Sequence, residues 1–172
     1  MLKLLGASLV LLAATLAGFA QARQYADRPR QIRGLIAALQ RLETEIRYGY
    51  TPLPEAMRRI AQQCREPLRG FFSRAASEMN PPRSASAQEG LELAMEALWK
   101  TTAMKAPERE VLRQLGCTLG TSDRADQTSH IAMALRQLGQ EEISAREDQS
   151  KYEKMCRSLG LLLGALIVIL IF

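Results

Sequence analysis

The sequence has few residues of the types that build metal and redox sites. Its three cysteines, Cys64, Cys117 and Cys156, lie far apart and include no C-x-x-C pair, and there is one histidine, His130. An odd number of widely spaced cysteines does not suit a disulfide framework, and structural zinc sites use closely spaced ligands. We therefore expect reduced thiols, mostly packed in the interior, with no metal and no cofactor.

Motifs of the common catalytic and nucleotide-binding classes are also missing. The chain has no G-x-S-x-G, no H-E-x-x-H and no Rossmann fingerprint. The segment 116–122 resembles a phosphate loop, but its glycines are one residue too close and the phosphate-binding lysine is absent. His130 with Asp123 or Cys117 is the catalytic alternative, yet a lone histidine on such a helix is more often a packed residue. We predict that the protein is not an enzyme.

Strand patterns are absent, whereas helical patterns recur. Between residues 21 and 157 no stretch alternates polar and apolar residues with β-branched side chains, but apolar residues repeat at helical spacing between Gly, Pro and Ser. Pro29 suits the first turn of a helix, whose apolar stripe continues to Ile46. Further helices are predicted at about 53–64, 66–79, 88–101 and 107–119, with a last one from near Asp123. The expected fold class is all-α.

Charge is missing from both ends of the chain. Residues 4–20 and 158–172 contain no charged side chain. As helices they would rise about 26 Å and about 22 Å at roughly 1.5 Å per residue, against roughly 30 Å of bilayer hydrocarbon. Both runs are apolar on every face, which argues against core helices. We predict transmembrane helices at 1–22 and 158–172 around a domain at 23–157.

The basic residues indicate the orientation of this domain. Residues 23–83 hold 12 Lys/Arg against 6 Asp/Glu. Positive flanks favour the cytoplasm, so we expect a cytoplasmic domain close to membrane lipid, with both tips outside. Juxtamembrane arginines explain the basic balance more simply than nucleic-acid binding, which we do not expect. The alternative is signal-peptide cleavage after Ala22, which would export a binding module anchored by its C-terminal helix.

Small residues recur in both apolar runs. Ala13 and Ala17, and Gly160 and Gly164, are each four residues apart. Such small-x-x-x-small pairs let membrane helices approach closely. We predict that they pack the spans together, within one chain or between copies, which leaves a homo-oligomer open.

Two segments carry residues suited to tight turns between helices. In the first, Gly49 is expected to follow a helix end, and Thr51 is a candidate N-cap ahead of Pro52. The second lies at 116–123, where a helical hairpin is predicted.

The residues of this second turn have separate predicted roles. Gly120 is expected to end one helix in a conformation that other residues resist, and Gly116 to permit close approach of another backbone. Thr121, Ser122 and Asp123 are the N-cap candidates of the next helix, where an acidic side chain also suits the positive end of the helix dipole.

The segment 139–154 is mostly charged. Glu142–Arg146, Glu147–Lys151 and Glu153–Arg157 are i,i+4 pairs with the acid N-terminal, each contributing about 0.2–0.5 kcal/mol to a helix. We predict a helical stalk that leads the domain to the membrane, with a solvated loop as the alternative.

Four segments resemble those of a known family. They are MLKLLGA at the start, DRPRQIRGLIAALQRLETEIRYGYTPLPEA (27–56), LGCTLGTSDRADQTSHIAMAL (115–135) and EKMCRSLGLLLGAL (153–166). Their order and spacing resemble the stage III sporulation protein AB family of endospore-forming bacteria. That family is similar to half of an inner-membrane platform protein of type II secretion and type IV pilus systems. The resemblance implies an antiparallel six-helix bundle, in agreement with the six helices predicted above.

The resemblance also implies a function. It suggests a non-enzymatic platform component of the channel-like complex between mother cell and forespore, placed in the mother-cell membrane with its bundle facing the cytoplasm. There it would scaffold a secretion-type ATPase and neighbouring subunits. The motif positions carried over are structural residues that could shape a contact surface: Gly49, Thr51, Pro52, Gly116, Gly120, Thr121, Ser122 and Asp123. No catalytic, cofactor-binding or metal-ligating residue is implied.

Overall fold

Six α-helices follow one another along the chain. The computed structural model describes residues 25–49, 51–121, 123–152 and 155 with their side chains, and these residues contain no strand. The helices are α1 (Leu2–Tyr48), α2 (Leu53–Gln63), α3 (Leu68–Met79), α4 (Ala87–Leu98), α5 (Ala106–Thr118) and α6 (Arg124–Ile171), with a short 3-10 turn at Trp99–Thr101. The all-α prediction is confirmed.

The helices close a ring around one core. Each helix packs against its neighbours in sequence, and α6 returns to pack along α1, which is the most extensive helix contact in the fold. Contacts between α1 and α6 run in opposite directions along the two helices, from Tyr25 with Tyr152 to Arg33 with Glu142. The described part of the chain is therefore an antiparallel helical bundle.

The core is built from one face of each helix. The predicted stripe of α1 is buried at Ile32, Leu35, Leu39 and Leu42, and α6 faces it with Ile131 and Leu138. Full burial of one such side chain contributes about 1.5–3 kcal/mol. Helix propensity contributes much less to a helix of ordinary length, so packing of these faces holds the bundle together.

Pro29 does not begin a helix, contrary to the sequence prediction. It lies inside α1 and is buried. A proline in a helix interior removes one backbone hydrogen bond and costs about 3 kcal/mol or more. Just before it in the chain, Arg28 binds carboxylates of α5 and α6, and Tyr25 stacks on Tyr152. These tertiary contacts offset the local penalty and carry the helix through the proline.

The turn between α1 and α2 also differs from the prediction. Pro52, rather than Thr51, is the N-cap residue of α2, and no side chain caps that helix. Thr51 Oγ1 instead donates a hydrogen bond to Glu45 Oε2 at 3.2 Å. Gly49 directly follows α1, and its N–H donates to the Glu45 carbonyl oxygen at 2.8 Å. The Thr51 side chain therefore links the turn to the last part of α1 and does not cap α2.

The charged segment 139–154 belongs to α6, so the loop alternative is wrong. It packs against α1 and the N-terminus of α5, because Ala145 is buried in the core and Glu141, Glu142 and Asp148 form ion pairs with α1 and with the residue before α5. The predicted Glu142–Arg146 pair forms at 2.7 Å, whereas Glu147–Lys151 forms no ion pair in the described part of the chain. Glu153–Arg157 lies outside the residues whose side chains are described.

The predicted membrane helices fall outside the described residues. Side chains of 1–22 and 158–172 are not described, and these ranges include the predicted packing pairs Ala13/Ala17 and Gly160/Gly164. Within the described part, no helix combines the length and apolarity needed to cross a bilayer.

Candidate functional site

Three turns meet at one end of the bundle. Gly120 has a φ of +79°, in the left-handed region that favours glycine. A Cβ built on Gly120 would lie 3.8 Å from Ala87 Cβ and 3.9 Å from Leu53 Cδ2, so the chain before α2, before α4 and after α5 comes together here. We call this region the turn end; it comprises residues 48–49, 51–53, 80–87, 119–121 and 123. It unites the two turn segments singled out in the sequence.

Side chains of the second segment close the end of α5 and open α6. Asp123 Oδ1 accepts a hydrogen bond from the Asp126 N–H at 2.8 Å, which places Asp123 at the N-cap of α6. Thr121 Oγ1 donates to the Cys117 carbonyl oxygen at 3.1 Å. Ser122 lies outside the described residues. The segment therefore ends α5 and begins α6.

Gly116 lies where α5 approaches α4. A Cβ at this position would lie 3.3 Å from Leu91 Cδ1 and 3.5 Å from the backbone Cα of Gln88. Backbone atoms of α4 are therefore almost in contact with Gly116, and a larger residue would separate the two helices beside the turn end.

Replacing Gly120 with alanine should lower the free energy of unfolding by about 1–2 kcal/mol, because L-residues resist left-handed backbone angles. Gly139→Ala is the matched control, since a Cβ at Gly139 in α6 would meet nothing within 4 Å. There alanine should stabilise the protein by about 0.5–1 kcal/mol. Denaturant titrations followed by circular dichroism measure both changes. Effects of the same sign and size at both glycines would contradict the assigned role of Gly120.

The other end of the bundle contains a buried charge network that the sequence analysis did not single out. Arg28 of α1 is 6% exposed and Glu108 of α5 is 0% exposed. Arg28 Nη2 lies 2.7 Å from Glu108 Oε1 and 3.0 Å from Glu141 Oε2 of α6. Asp148 Oδ2 of α6 lies 3.6 Å from Arg28 Nη1 and 3.4 Å from Lys105 Nζ. We call these five residues the ionic brace.

Glu108 also caps the N-terminus of α5. Its Oε2 accepts a hydrogen bond from the backbone N–H of Lys105 at 2.8 Å, at the N-terminus of α5. The local pattern of Pro107 followed by Glu108 does signal a helix start. The same pattern contains no sign that the carboxylate also binds Arg28, which is 80 positions away.

Two further contacts join α1 to α6 near the ionic brace. The rings of Tyr25 and Tyr152 stack with centroids 3.7 Å apart and planes inclined by 20°. Arg33 Nε lies 3.2 Å from Glu142 Oε1. With the ionic brace, these contacts fix α1, α5 and α6 to one another on the side of the bundle that leads to the chain ends.

The residues considered for catalysis lie on the surface of the bundle. His130 and Cys117 are both exposed. Cys117 Sγ lies 3.4 Å from the Arg113 carbonyl oxygen, and His130 lines a small hollow of about 40 Å³ between α5 and α6. Among the described residues, no group of three or more His, Cys, Asp or Glu is placed to hold a metal ion.

The cysteines differ in their surroundings. Cys64 is buried, and burial raises the pKa of its thiol, with Arg41 and Arg69 acting in the opposite direction. The expectation of a packed thiol is confirmed for Cys64 and wrong for Cys117, which is exposed. The side chain of Cys156 lies outside the described residues.

A charged groove of about 350 Å³ runs between α4 and α5. It is lined by Glu92, Met95, Glu96, Ala106, Arg109, Glu110 and Arg113. Glu110 accepts two hydrogen bonds from Arg113, at 2.8 and 2.7 Å, and one from Gln114 at 2.9 Å. These hydrogen bonds, chiefly those from Arg113, lower the pKa of Glu110 to about 2.

Arg113→Gln should return the pKa of Glu110 from about 2 toward its ordinary 4.5. A lowered pKa stabilises the folded state above the ordinary value, and that contribution is lost as pH falls from about 4.5 to about 2. Because the pair is exposed to solvent, the accompanying change in folding stability should be small. An NMR titration of the Glu110 carboxyl measures the shift. Gln114→Ala, the control, should raise the pKa less, and an unchanged pKa in the Arg113 variant would contradict the pairing.

Comparison with known proteins places this architecture in a family. The sequence model described as "Stage III sporulation protein AB" matches residues 3–172. A curated relative, Stage III sporulation protein AB of Bacillus subtilis (strain 168), is 47% identical over 171 residues, which cover 99% of each chain. A solved structure of a stage III sporulation protein AB aligns with a TM-score of 0.68 at 43% identity, over 73% of this chain and 98% of that chain. This chain therefore belongs to the stage III sporulation protein AB family.

Proposed function

We propose that this protein is a non-enzymatic, membrane-anchored platform that scaffolds a secretion-type ATPase and neighbouring subunits during sporulation. Membership of a family named for a sporulation stage supports the biological setting. The described side chains support a mechanical role, because the polar contacts of Arg28 and Glu108 join α1, α5 and α6 to one another.

Anchoring follows from the chain ends. The apolar runs predicted to span the membrane, 1–22 and 158–172, continue α1 and α6, and these two helices pack along each other in the bundle. Both anchors therefore leave the bundle from adjacent positions. On this proposal they lie in the mother-cell membrane around the forespore, with the bundle in the cytoplasm, as the positive flanks favour.

The ionic brace is the observation that carries the proposal. It joins the start of α5 to α1 and α6 through Arg28, which contacts Glu108, Glu141 and Asp148. A displacement of the bundle would therefore reach the two helices that lead to both anchors. Such a rigid connection suits a component that transmits work from a partner to membrane helices.

The turn end is the proposed contact surface for the ATPase. It lies opposite the ionic brace along the bundle, so it faces away from the anchors. Tyr48 is 75% exposed there, and tyrosine is enriched at protein interfaces because its ring gives a large contact area with few rotatable bonds. The hydrogen bonds of Thr51 and Asp123 hold the surrounding turns in place.

Co-purification tests both parts of this proposal. Full-length tagged protein from sporulating cells should recover a secretion-type ATPase, and Tyr48→Ala should reduce that recovery at least about tenfold, as for an interface hot spot. Ile143→Ala is the matched control, because Ile143 is 53% exposed on α6, outside the turn end. Absence of the ATPase with the unaltered chain would overturn the platform. Full recovery with the Tyr48 variant would overturn the assigned surface.

Thiol labelling tests the topology and the exported alternative. Cys117 is exposed, so a variant that retains Cys117 as the sole cysteine should react with a membrane-impermeant maleimide only after lysis. Labelling in intact cells would place the bundle outside the membrane and favour an exported module.

A further inference from the structure

Three neighbouring arginines form no ion pair among the residues that the structure describes. Arg41 of α1 and Arg65 and Arg69 at the α2–α3 turn are exposed, and none of them forms an ion pair with a described residue. Arg69 Nε donates to the Cys64 carbonyl oxygen at 3.2 Å, and Arg41 lies close enough to affect the same cysteine. We call these three residues the basic patch.

The acidic side chains of α1, α2 and α3, and Glu66 in the turn between α2 and α3, bind groups outside the basic patch. Glu43 pairs with Arg47, Glu45 and Glu55 with Arg59, Glu78 with Arg74 and Arg83, and Glu66 Oε2 accepts from the Gly70 N–H. Only Glu66 lies beside the basic patch, and one carboxylate against three guanidinium groups leaves the patch positively charged. Clustered like charges repel each other, and an acidic partner would relieve that repulsion.

A complementary set of charges lies on α4. Glu89, Glu92 and Glu96 follow i, i+3, i+7 spacing, which places them along one side of the helix. None of them pairs with a basic residue in the described chain. Glu92 accepts a hydrogen bond from the Gln88 side chain at 3.3 Å. The Glu89 side chain accepts a hydrogen bond from the backbone N–H of the N-cap residue of α4, Ser86. We call these three glutamates the acidic stripe.

The charge of the acidic stripe is only partly balanced by its surroundings. Glu92 and Glu96 line the α4–α5 groove together with Arg109. Arg113 in the same groove pairs with Glu110 and lies close enough to Glu92 for their charges to interact. Together the stripe and Glu110 supply four carboxylates against the two guanidinium groups of Arg109 and Arg113, which leaves this surface negative.

We propose that the basic patch of one copy of this protein binds the acidic stripe of a second copy. The two surfaces belong to different elements, because the patch lies on α1 and the α2–α3 turn, whereas the stripe lies on α4, which packs between α3 and α5. Each copy therefore uses one surface and leaves the other free. Such a heterologous contact builds a ring when the rotation closes and a linear array when it does not.

A second copy fits these surfaces because the chain itself supplies both. Exposed ion pairs are individually weak and are screened by salt, so the association should be modest in solution. In one respect the inference rests on the proposed function: anchoring in a membrane would hold copies in the same orientation and raise their effective concentration. The contact itself requires no ATPase.

Charge reversal in the purified full chain tests the contact. In a non-ionic detergent at low salt and high protein concentration, sedimentation should show self-association that about 0.5 M salt suppresses. Arg65→Glu with Arg69→Glu should weaken it at least about tenfold, and so should Glu92→Lys with Glu96→Lys. Mixing the two variants should restore association, because each then meets the opposite charge. Arg136→Glu on α6 is the control and should associate as the unaltered chain does.

Each outcome decides the proposal. A monomer at low salt, association that survives either reversal, or a mixture of the two variants that stays monomeric would overturn it. Circular dichroism and thermal unfolding confirm that each variant is folded before it is compared. This test uses only the purified chain, so its result does not depend on whether an ATPase is recovered from cells. The proposed self-association and the proposed platform function can therefore be overturned independently.

Discussion

Arg28→Met should lower the free energy of unfolding by about 3–5 kcal/mol. The substitution leaves the Glu108 carboxylate, 0% exposed, without its cation, and removing one member of a buried ion pair costs about this much. In a chain of this size each kcal/mol shifts the melting temperature by about 2–4 °C, so the midpoint should fall by about 6–20 °C. Denaturant and thermal unfolding of the full chain measure the two quantities.

The double variant Arg28→Met/Glu108→Gln identifies the cause. It removes both charges, and a glutamine oxygen at position 108 can still accept the Lys105 N–H, so most of the lost stability should return. Arg47→Met is the exposed control, because its pair with Glu43 lies on the surface and should contribute less than about 1 kcal/mol. If Arg28→Met were as mild as Arg47→Met, the ionic brace would not be the main connection between α1, α5 and α6.

Gly90→Val should destabilise the bundle by about 1–3 kcal/mol through overpacking between α3 and α4. A Cβ on Gly90 would lie 2.9 Å from Met79 Cγ and 3.2 Å from the Ala75 carbonyl oxygen. Met79 is flexible and can move aside, but the Ala75 oxygen belongs to the backbone of α3. Relief therefore requires the two helices to separate, which also loosens the core around Phe72.

Gly139→Val is the control for this prediction. It makes the same substitution inside a helix, at a position where a Cβ meets nothing within 4 Å. Its effect should be close to zero or slightly stabilising, since valine is a somewhat better helix former than glycine. Chemical denaturation of both variants gives the comparison. Equal losses at the two sites would show that backbone propensity, and not the α3–α4 crossing, sets the cost at Gly90.

Features of this fold that depend on local chemistry were predictable from the sequence. The apolar spacing from Ile32 to Ile46 predicts a helix because one side of a helix must face the core. Asp123 could be named as a candidate N-cap because an aspartate carboxylate can accept a hydrogen bond from the backbone N–H three residues later. The structure shows this hydrogen bond, from the Asp126 N–H. Gly120 could be placed after a helix end because few other residues adopt left-handed backbone angles.

Features that depend on distant contacts were not predictable. Pro29 has the local signature of a helix start, and only its neighbours' contacts to α5 and α6 show why the helix continues through it. The ionic brace joins Arg28 to residues 80 and 113 positions away. The meeting of Leu53, Ala87 and Gly120 likewise requires the ring of helices to close.

The pairing of the first helix with the last has a consequence for biosynthesis. The neighbouring pairs from α2 to α5 can assemble in the order in which they leave the ribosome, at about 5–20 residues per second. The apolar side of α1 that faces Ile131 and Leu138 stays uncovered until those residues have been translated. The nascent chain therefore exposes the apolar face of α1 to solvent during most of its translation. We infer that the nascent chain is prone to aggregate until α6 has left the ribosome and packed against α1. The emergence of the first hairpin is not enough to protect it.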